Sequence, residues 1–286
     1  MPDREACSLK LRRFYAELVA GHAAPDITAA FAAVPREPFA GPGPWSIVGA
    51  QTVRSRERGP RYVRTPDDDP AFLYQNVLVA LDTERRIHIG EPSLHALCLD
   101  ALGPRSGETA IQVGTGSGYY TALLAHLVGP TGRVHAFEID PALAGRATAN
   151  LAPWPWAQVH ARSGVAEPLP EADAIYVNAG AARPAQSWLT ALRPGGRVLL
   201  PLQSAQGRGG MLRLQRPDGG TAWPARFLSF AAFIPLRDVP EEDGTALAAA
   251  FARGDIWSVR SLRLEGPPDA SCWYDGGDWW LSRTEP

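Results

Sequence analysis

Three glycines, Gly114, Gly116 and Gly118, alternate directly after a β-like run and directly before a helical one, in AIQVGTGSGYYTALLAHLVGPTGRVHAFEID. Glycine at such positions lets the backbone approach a ligand closely and take conformations that a Cβ forbids. The helix that follows would aim unpaired N–H groups and the positive end of its dipole at whatever the loop holds. Twenty residues after Gly118, the next β-like run, VHAFEI, brings in Glu138. A carboxylate at a strand tip accepts hydrogen bonds from both hydroxyls of a ribose. A dinucleotide fingerprint, G-x-G-x-x-G, needs glycine at position 119, where this chain has Tyr119. The loop is therefore G-x-G-x-G, and with the acid on the following strand it fits S-adenosylmethionine better than NAD. Ser117 is not a nucleophile elbow, because that motif needs glycine two residues to either side and Thr115 and Tyr119 stand there.

Other residues with chemistry are scattered. His88, Gly90 and Glu91 fall in the segment HIGEP. His88 is suited to orient a substrate or to take a proton from a hydroxyl nucleophile. Glu91 would repel a substrate carboxylate, so its natural partners are a backbone N–H or a cation. Asn178 closes the β-like run DAIYVN, at the edge where open α/β sheets bind ligands. Arg54, Arg56, Arg58, Arg61 and Arg64 precede an acidic run, Asp67 to Asp69. That segment reads either as a solvated loop of cancelling charge or as a flap whose arginines meet an anionic substrate.

The elements that position these residues follow from periodicity. Strands are expected at 109–113, 133–138, 157–161, 172–178 and 196–201, with helices at 118–128, 141–151 and 184–192 between them. Pro141 and Pro184 suit first helical turns. Strand and helix alternating in this way predict a doubly wound α/β domain with a mostly parallel sheet. Residues 211–214 and 227–235 form a closing antiparallel pair in this reading. Two amphipathic helices precede the domain, one ending at Gly21 and one running from Asp26 to Pro35. The last fifty residues hold a short Ala-rich helix at 245–253 and two strand-like pieces, 258–264 and 278–283, around Trp273, Trp279 and Trp280. These aromatics read as core.

Composition narrows the classes. The 286 residues are 45% apolar and 20% charged, enough to bury a full core, and the formal net charge is −2. That balance argues against a nucleic-acid binder or an anionic-membrane binder working by bulk charge. Cys7, Cys98 and Cys272 are too few and too far apart for a disulfide framework or a zinc site. No run of 18 apolar residues reads as a membrane span, and the first residues lack the apolar stretch of a signal peptide, so a cytoplasmic location is expected.

The stretch VGTGSGYYTALLAHLVGPTGRVHAFEID resembles the class I S-adenosylmethionine-dependent methyltransferases, and among them the protein-L-isoaspartate O-methyltransferases. The resemblance extends to VPREPF at 34–39, LYQN at 73–76, DAIYVNAGA at 173–181 and LRPGGRVLLPL at 192–202. It implies a Rossmann-like seven-stranded sheet with an N-terminal helical cap and a C-terminal appendage. Residues 1–100 would form the helical, substrate-side region, 101–236 the cofactor-binding core and 237–286 the appendage. By the same resemblance, Gly114, Thr115, Gly116, Ser117 and Gly118 would hold the methionine part of the cofactor, Glu138 the ribose and Ile139 one face of the adenine.

Three positions differ from the family's pattern. Gln112 stands where the first strand usually carries Glu, and Ser163 and Gly164 stand near the place of an acid that touches adenine. The substrate-side segment, usually close to Thr-Ile-Ser-Gln-Pro, reads HIGEP, so Gly90 replaces a hydroxyl and Glu91 an amide. The resemblance implies methylation of a side-chain carboxylate, aspartate or isoaspartate, in a peptide or protein, with an acidic peptide as the natural partner of the arginines. A carboxylate is already ionised at neutral pH, so no general base is required. VNAGA also lacks the Asn/Asp-Pro-Pro-aromatic signature of amino-group methylation. The loss of the hydroxyl favours a specialised relative, like those that tailor ribosomal peptides. Isoaspartyl repair, a small-molecule acceptor and a non-catalytic binding protein are the alternatives.

Overall fold

The computed structural model describes residues 4–49, 61–237 and 244–286. In chain order the N-terminal elements are α1 (Arg4–Ala20), α2 (Pro25–Ala33), α3 (Glu37–Ala40), β1 (Ser46–Gly49), β2 (Val63–Arg64), β3 (Val77–Asp82), β4 (Ile87–Ile89) and α4 (Pro92–Leu102). The middle of the chain continues with β5 (Thr109–Val113), α5 (Tyr119–Val128), β6 (Arg133–Phe137), α6 (Pro141–Asn150), β7 (Ala157–His160), β8 (Ala172–Val177), α7 (Gln186–Ala191), β9 (Leu192–Gln203), β10 (Gly209–Gln215) and β11 (Ala222–Phe230). The tail adds α8 (Thr245–Ala252), β12 (Ser261–Arg263), β13 (Cys272–Asp275) and β14 (Trp280–Ser282). Among the described residues no helix is long and apolar enough to cross a membrane.

The chain divides into two compact units. One gathers Met1–Gly107, Thr115–Val134 and Asp140–Val159, and the other Glu108–Gly114, His135–Ile139 and His160–Pro286.

In the first unit, a small antiparallel sheet runs β2-β1-β3-β4, with Ile47 opposite Val79 and Ala80 opposite His88. Two of its strands, β1 and β2, flank the arginine-rich stretch that reads from sequence as a solvated loop or a flap. Its strands are too short and too interrupted by Gly and Pro to show a period of two. Arg36, from VPREPF, is completely buried in this unit. Its guanidinium donates to the carbonyls of Leu73, Gln75 and Val77 and lies 5.4 Å from the Tyr15 ring centre and 5.5 Å from that of Tyr119. Carbonyl dipoles and aromatic faces take the place of a counter-ion. One side chain thus ties VPREPF, the LYQN turn and the first residue of α5 together.

In the larger sheet the strand order is β13-β14-β12-β11-β10-β9-β8-β5-β6-β7. β5 pairs in parallel with β8, Ala110 opposite Ala174 through Val113 opposite Val177, and β8 with β9. β9, β10 and β11 are antiparallel neighbours. The expected seven-stranded α/β sheet is therefore present as β5 to β11, and the tail extends it by three antiparallel strands. β12 continues the sheet from β11, with Trp223 opposite Leu262. Trp273 and Trp279 join Phe227, Phe251 and Leu281 in the second unit's core, so the tail's aromatics are packing residues.

Helix starts follow local chemistry. The Asp140 carboxylate accepts from the backbone N–H groups of Ala142 and Leu143, with Pro141 in the first turn of α6. Pro92 opens α4, and Gly103 closes it in a left-handed conformation.

Candidate functional site

In the second unit, the carboxyl ends of four strands are laced by backbone hydrogen bonds. The Gly114 N–H donates to Phe137 O at 2.9 Å, Asn178 N–H to Val113 O at 2.8 Å and Glu138 N–H to His160 O at 3.1 Å. The strand order reverses its sense between β5 and β8, and that switch point is where open α/β sheets bind ligands. Gly114 and Asn178 flank it. Gly114 has a φ of +78°, and a Cβ there would lie 3.2 Å from the Asn178 carbonyl oxygen, so the two chains meet only because residue 114 has no side chain. Glu138 is buried at the tip of β6, and Ile139 beside it is half-buried. The Asn178 Oδ1 is buried with no hydrogen-bond partner among the described residues.

The departures from the family pattern are also here. Gln112 is fully buried in β5, opposite Tyr176 of β8. A neutral amide at this depth avoids the cost of desolvating a charge. Beyond the tip of β7, next to Ser163 and Gly164, the chain carries a cation. The Arg162 guanidinium lies 4.7 Å from the Phe137 ring centre and donates to the Ala166 and Pro168 carbonyls. Gly164 is pressed against β5 and β6, since a Cβ there would come within 2.7 Å of Val113 and 3.1 Å of Phe137. The Gly164 carbonyl accepts from Trp188 Nε1, and the Ser163 hydroxyl lies 3.5 Å from Val165 N. Loss of the acid thus comes with a close-packed turn.

The glycine loop continues into the first unit. Gly116 and Gly118 have φ of +59° and +95°, and Gly118 packs on Ala147 of α6 and on Leu151, which caps that helix. The Asn150 amide donates to the Ser117 carbonyl at 2.9 Å. The hydroxyls of Thr115 and Ser117 are buried without a hydrogen-bond partner among the described residues. Unsatisfied buried polar atoms cost on the order of 1–3 kcal/mol each, and a ligand bearing hydroxyl, amino and carboxylate groups is the kind that satisfies them. Within the first unit, the side-chain-free loop and these orphaned hydroxyls suit the polar amino-acid part of S-adenosylmethionine.

On the substrate-side segment, β4 and the start of α4 carry His88, Gly90 and Glu91. His88 Nε2 shares a 2.7 Å hydrogen bond with the Tyr62 hydroxyl, and the rings are stacked. Burial pushes the His88 imidazole below its usual range, which keeps it uncharged at neutral pH. Glu91 precedes α4, and its Oε1 accepts from Asn76 Nδ2 and from the Ser93 hydroxyl, both at 3.0 Å. Its partners are thus a side-chain amide and a hydroxyl, in place of the expected backbone N–H or cation. Gly90 is held by its carbonyl, which accepts from the Tyr120 hydroxyl at 2.7 Å. A Cβ on residue 90 would lie 2.0 Å from His95 Nε2. That imidazole is stacked on Tyr120, with ring centres 3.5 Å apart.

His95, Tyr120, Tyr62 and Ser93 escaped the sequence reading. One signal was available for His95. Pro92 marks the first turn of a helix, and residue 95, one turn on from Glu91, returns toward the preceding loop. Arg54, Arg56 and Arg58 of the arginine-rich stretch lie outside the described residues, while Arg61 and Arg64 are exposed.

Comparison with known proteins gives the family. The profile of the protein-L-isoaspartate(D-aspartate) O-methyltransferases matches residues 56–240. The protein-L-isoaspartate O-methyltransferase of Anaeromyxobacter dehalogenans (strain 2CP-C) is 40% identical over 157 residues, covering 53% of this chain and 73% of that protein. The one from Ignicoccus hospitalis is 30% identical over 182 residues, covering 62% and 84%. A solved protein-L-isoaspartate O-methyltransferase superposes with a TM-score of 0.62 at 20% identity, over 87% of this chain and 70% of that one. A Plasmodium falciparum protein assigned to the same family, crystallised with S-adenosyl-L-homocysteine, gives 0.60 at 18% identity, over 80% and 99%. These two share the fold.

Proposed function

Because the chain belongs to the protein-L-isoaspartate O-methyltransferase family, we propose that it is a specialised carboxyl methyltransferase acting on an aspartate-type carboxylate of a dedicated polypeptide. Its methyl donor is S-adenosylmethionine. Gly114, Thr115, Gly116, Ser117 and Gly118 would hold the amino-acid part of the cofactor, with Asn178 and Gln112 bordering it. Glu138 would hold the ribose, and Ile139, Ser163 and Gly164 would border the adenine. When bound, that cofactor supplies a sulfonium methyl group, which passes to a carboxylate oxygen in an in-line displacement, leaving a methyl ester and a thioether. The chain's own task is alignment and exclusion of water, and orientation is worth on the order of 7–11 kcal/mol in such reactions. His88, uncharged and fixed by Tyr62, suits a positioning role better than that of a base. Glu91, engaged with Asn76 and Ser93, fixes the start of α4.

The observation that carries the specialised reading is the one at Gly90. The hydroxyl that the family usually presents there has no room beside His95. A buried neutral imidazole borders that position in its stead, which supports an acceptor read by different chemistry. Mass spectrometry after incubation with S-adenosylmethionine tests this on two model peptides that differ only in carrying an isoaspartyl or an ordinary aspartyl residue. Gain of one methyl ester on the aspartyl peptide supports the proposal. Gain on the isoaspartyl peptide alone, at ordinary turnover, replaces it with repair.

A further inference from the structure

Within the first unit a cavity of about 540 Å³ opens between β1, the β3–β4 hairpin and α6. Pro42, Pro44 and Leu81 line it together with the polar residues Ser46, Asp82, Thr83, Glu84 and Arg146, so most of the surface it exposes is polar. Gly41 has a φ of +76°, and a Cβ there would lie 2.8 Å from Arg146 Nη2, so glycine lets the backbone pass against the guanidinium. The same nitrogen donates to the Phe39 carbonyl at 2.6 Å. One edge of the planar fork is thereby fixed.

No acidic side chain among the described residues forms an ion pair with Arg146. Asp82 and Glu84 share the cavity's rim, but Asp82 is already engaged. Its Oδ1 accepts from the N–H groups of Glu84 and Arg85, and its Oδ2 lies 3.7 Å from Arg85. Glu84 is exposed. Burial disfavours the charge on Arg146, and no neighbouring acid offsets that. A fixed, half-buried guanidinium with no ion-pair partner among the described residues, set in a polar cavity, is matched by a carboxylate. Leu81 also lines the glycine loop, with its Cδ1 3.8 Å from where a Cβ on Gly116 would lie, so the cavity adjoins the loop that holds the cofactor.

We infer that this cavity is an exosite for an acidic residue flanking the acceptor in the polypeptide substrate, with Arg146 binding its carboxylate. The inference rests on the proposed reaction only for the source of that carboxylate. Fluorescence anisotropy with two labelled isoaspartyl peptides, differing by Glu or Gln beside the acceptor, tests it on the wild type, Arg146→Gln and Arg146→Lys. Thermal melts check that each variant folds. The wild type is expected to prefer the Glu peptide, and Arg146→Gln to weaken that peptide alone by about tenfold, with Arg146→Lys between. Where methylation is measurable, KM for the Glu peptide rises and kcat is kept. Equal loss on both peptides, or loss on neither, overturns the exosite. Arg146-dependent binding without methylation of either peptide leaves the exosite standing and removes isoaspartyl turnover; methylation of both that ignores Arg146 does the reverse.

Discussion

His95 Nε2 occupies the space into which any side chain on Gly90 would project. The glycine and the histidine are therefore one unit of design, and neither can be read alone. Gly90→Ser is expected to destabilise the protein by about 1–3 kcal/mol, the range for an overpacked core. His95→Ala removes the stacked ring and is also expected to destabilise. Combined, the two changes should cost less than their sum, with a coupling of at least about 1 kcal/mol. Urea melts of the four proteins measure this directly. Strict additivity would show that the contact is relieved by a small backbone shift.

The same histidine gives stability a pH dependence. Burial, with a smaller contribution from the Arg36 charge, lowers its pKa to about 3, against about 6.5 in an unfolded chain. Between those values the unfolded chain binds a proton that the folded chain refuses. The contribution is complete above about pH 6.5 and is lost as pH falls, at about 1.4 kcal/mol per pH unit through that window. Carboxylates add their own acid dependence, so the informative quantity is the difference from His95→Asn, which lacks the imidazole. Melts at pH 7, 6 and 5 should show the wild type losing stability faster than the variant.

The contrast between these residues and the glycine loop shows what a sequence can disclose. Gly114, Gly116, Gly118 and Glu138 are legible because their neighbours in the chain fix their setting, a strand before and a helix after. The main sheet was legible for the same reason, since each strand from β5 to β9 announces itself by a local apolar run. The β1–β4 sheet was not, because its strands are short and β1 pairs with β2 and β3 across long separations. Gly90 was visible as a departure, but its cause lay in a helical turn and in Tyr120, thirty residues away. β13 was missed because its pairing with β14 was invisible between a Pro-rich turn and a cluster of Trp.

Glu138 carries the clearest prediction about the cofactor. It is buried at the tip of β6 beside the tied ends of β5 and β7. Glu138→Ala should weaken S-adenosylhomocysteine binding by roughly 1.5–3 kcal/mol, the range for hydrogen bonds to a charged group. Calorimetry on the wild type and the variant reads this without any turnover. Asn178→Ala should have a smaller effect, since only a neutral amide is removed. Unchanged affinity in Glu138→Ala would move the ribose away from this carboxylate.

Asn76 offers a sharper test of the substrate-side segment than any truncation. Its amide nitrogen donates to Glu91 Oε1 at 3.0 Å, while its carbonyl oxygen accepts from the Ser93 N–H at 3.0 Å. Asn76→Asp keeps the size and the second bond, but sets a carboxylate against the carboxylate of Glu91. Two such groups at hydrogen-bond distance cannot both stay ionised without cost, so one must take up a proton. At pH 7.5 the variant is expected to be less stable than the wild type by about 1–3 kcal/mol. The deficit should shrink as pH falls toward 5, where protonation restores a donor. Asn76→Asp combined with Glu91→Gln should recover most of the loss at pH 7.5, because a donor and an acceptor face each other again with their places exchanged. Melts of the three proteins at both pH values settle the matter. A deficit that is independent of pH and not rescued by the double change would mean that Asn76 acts on the LYQN turn and leaves α4 untouched.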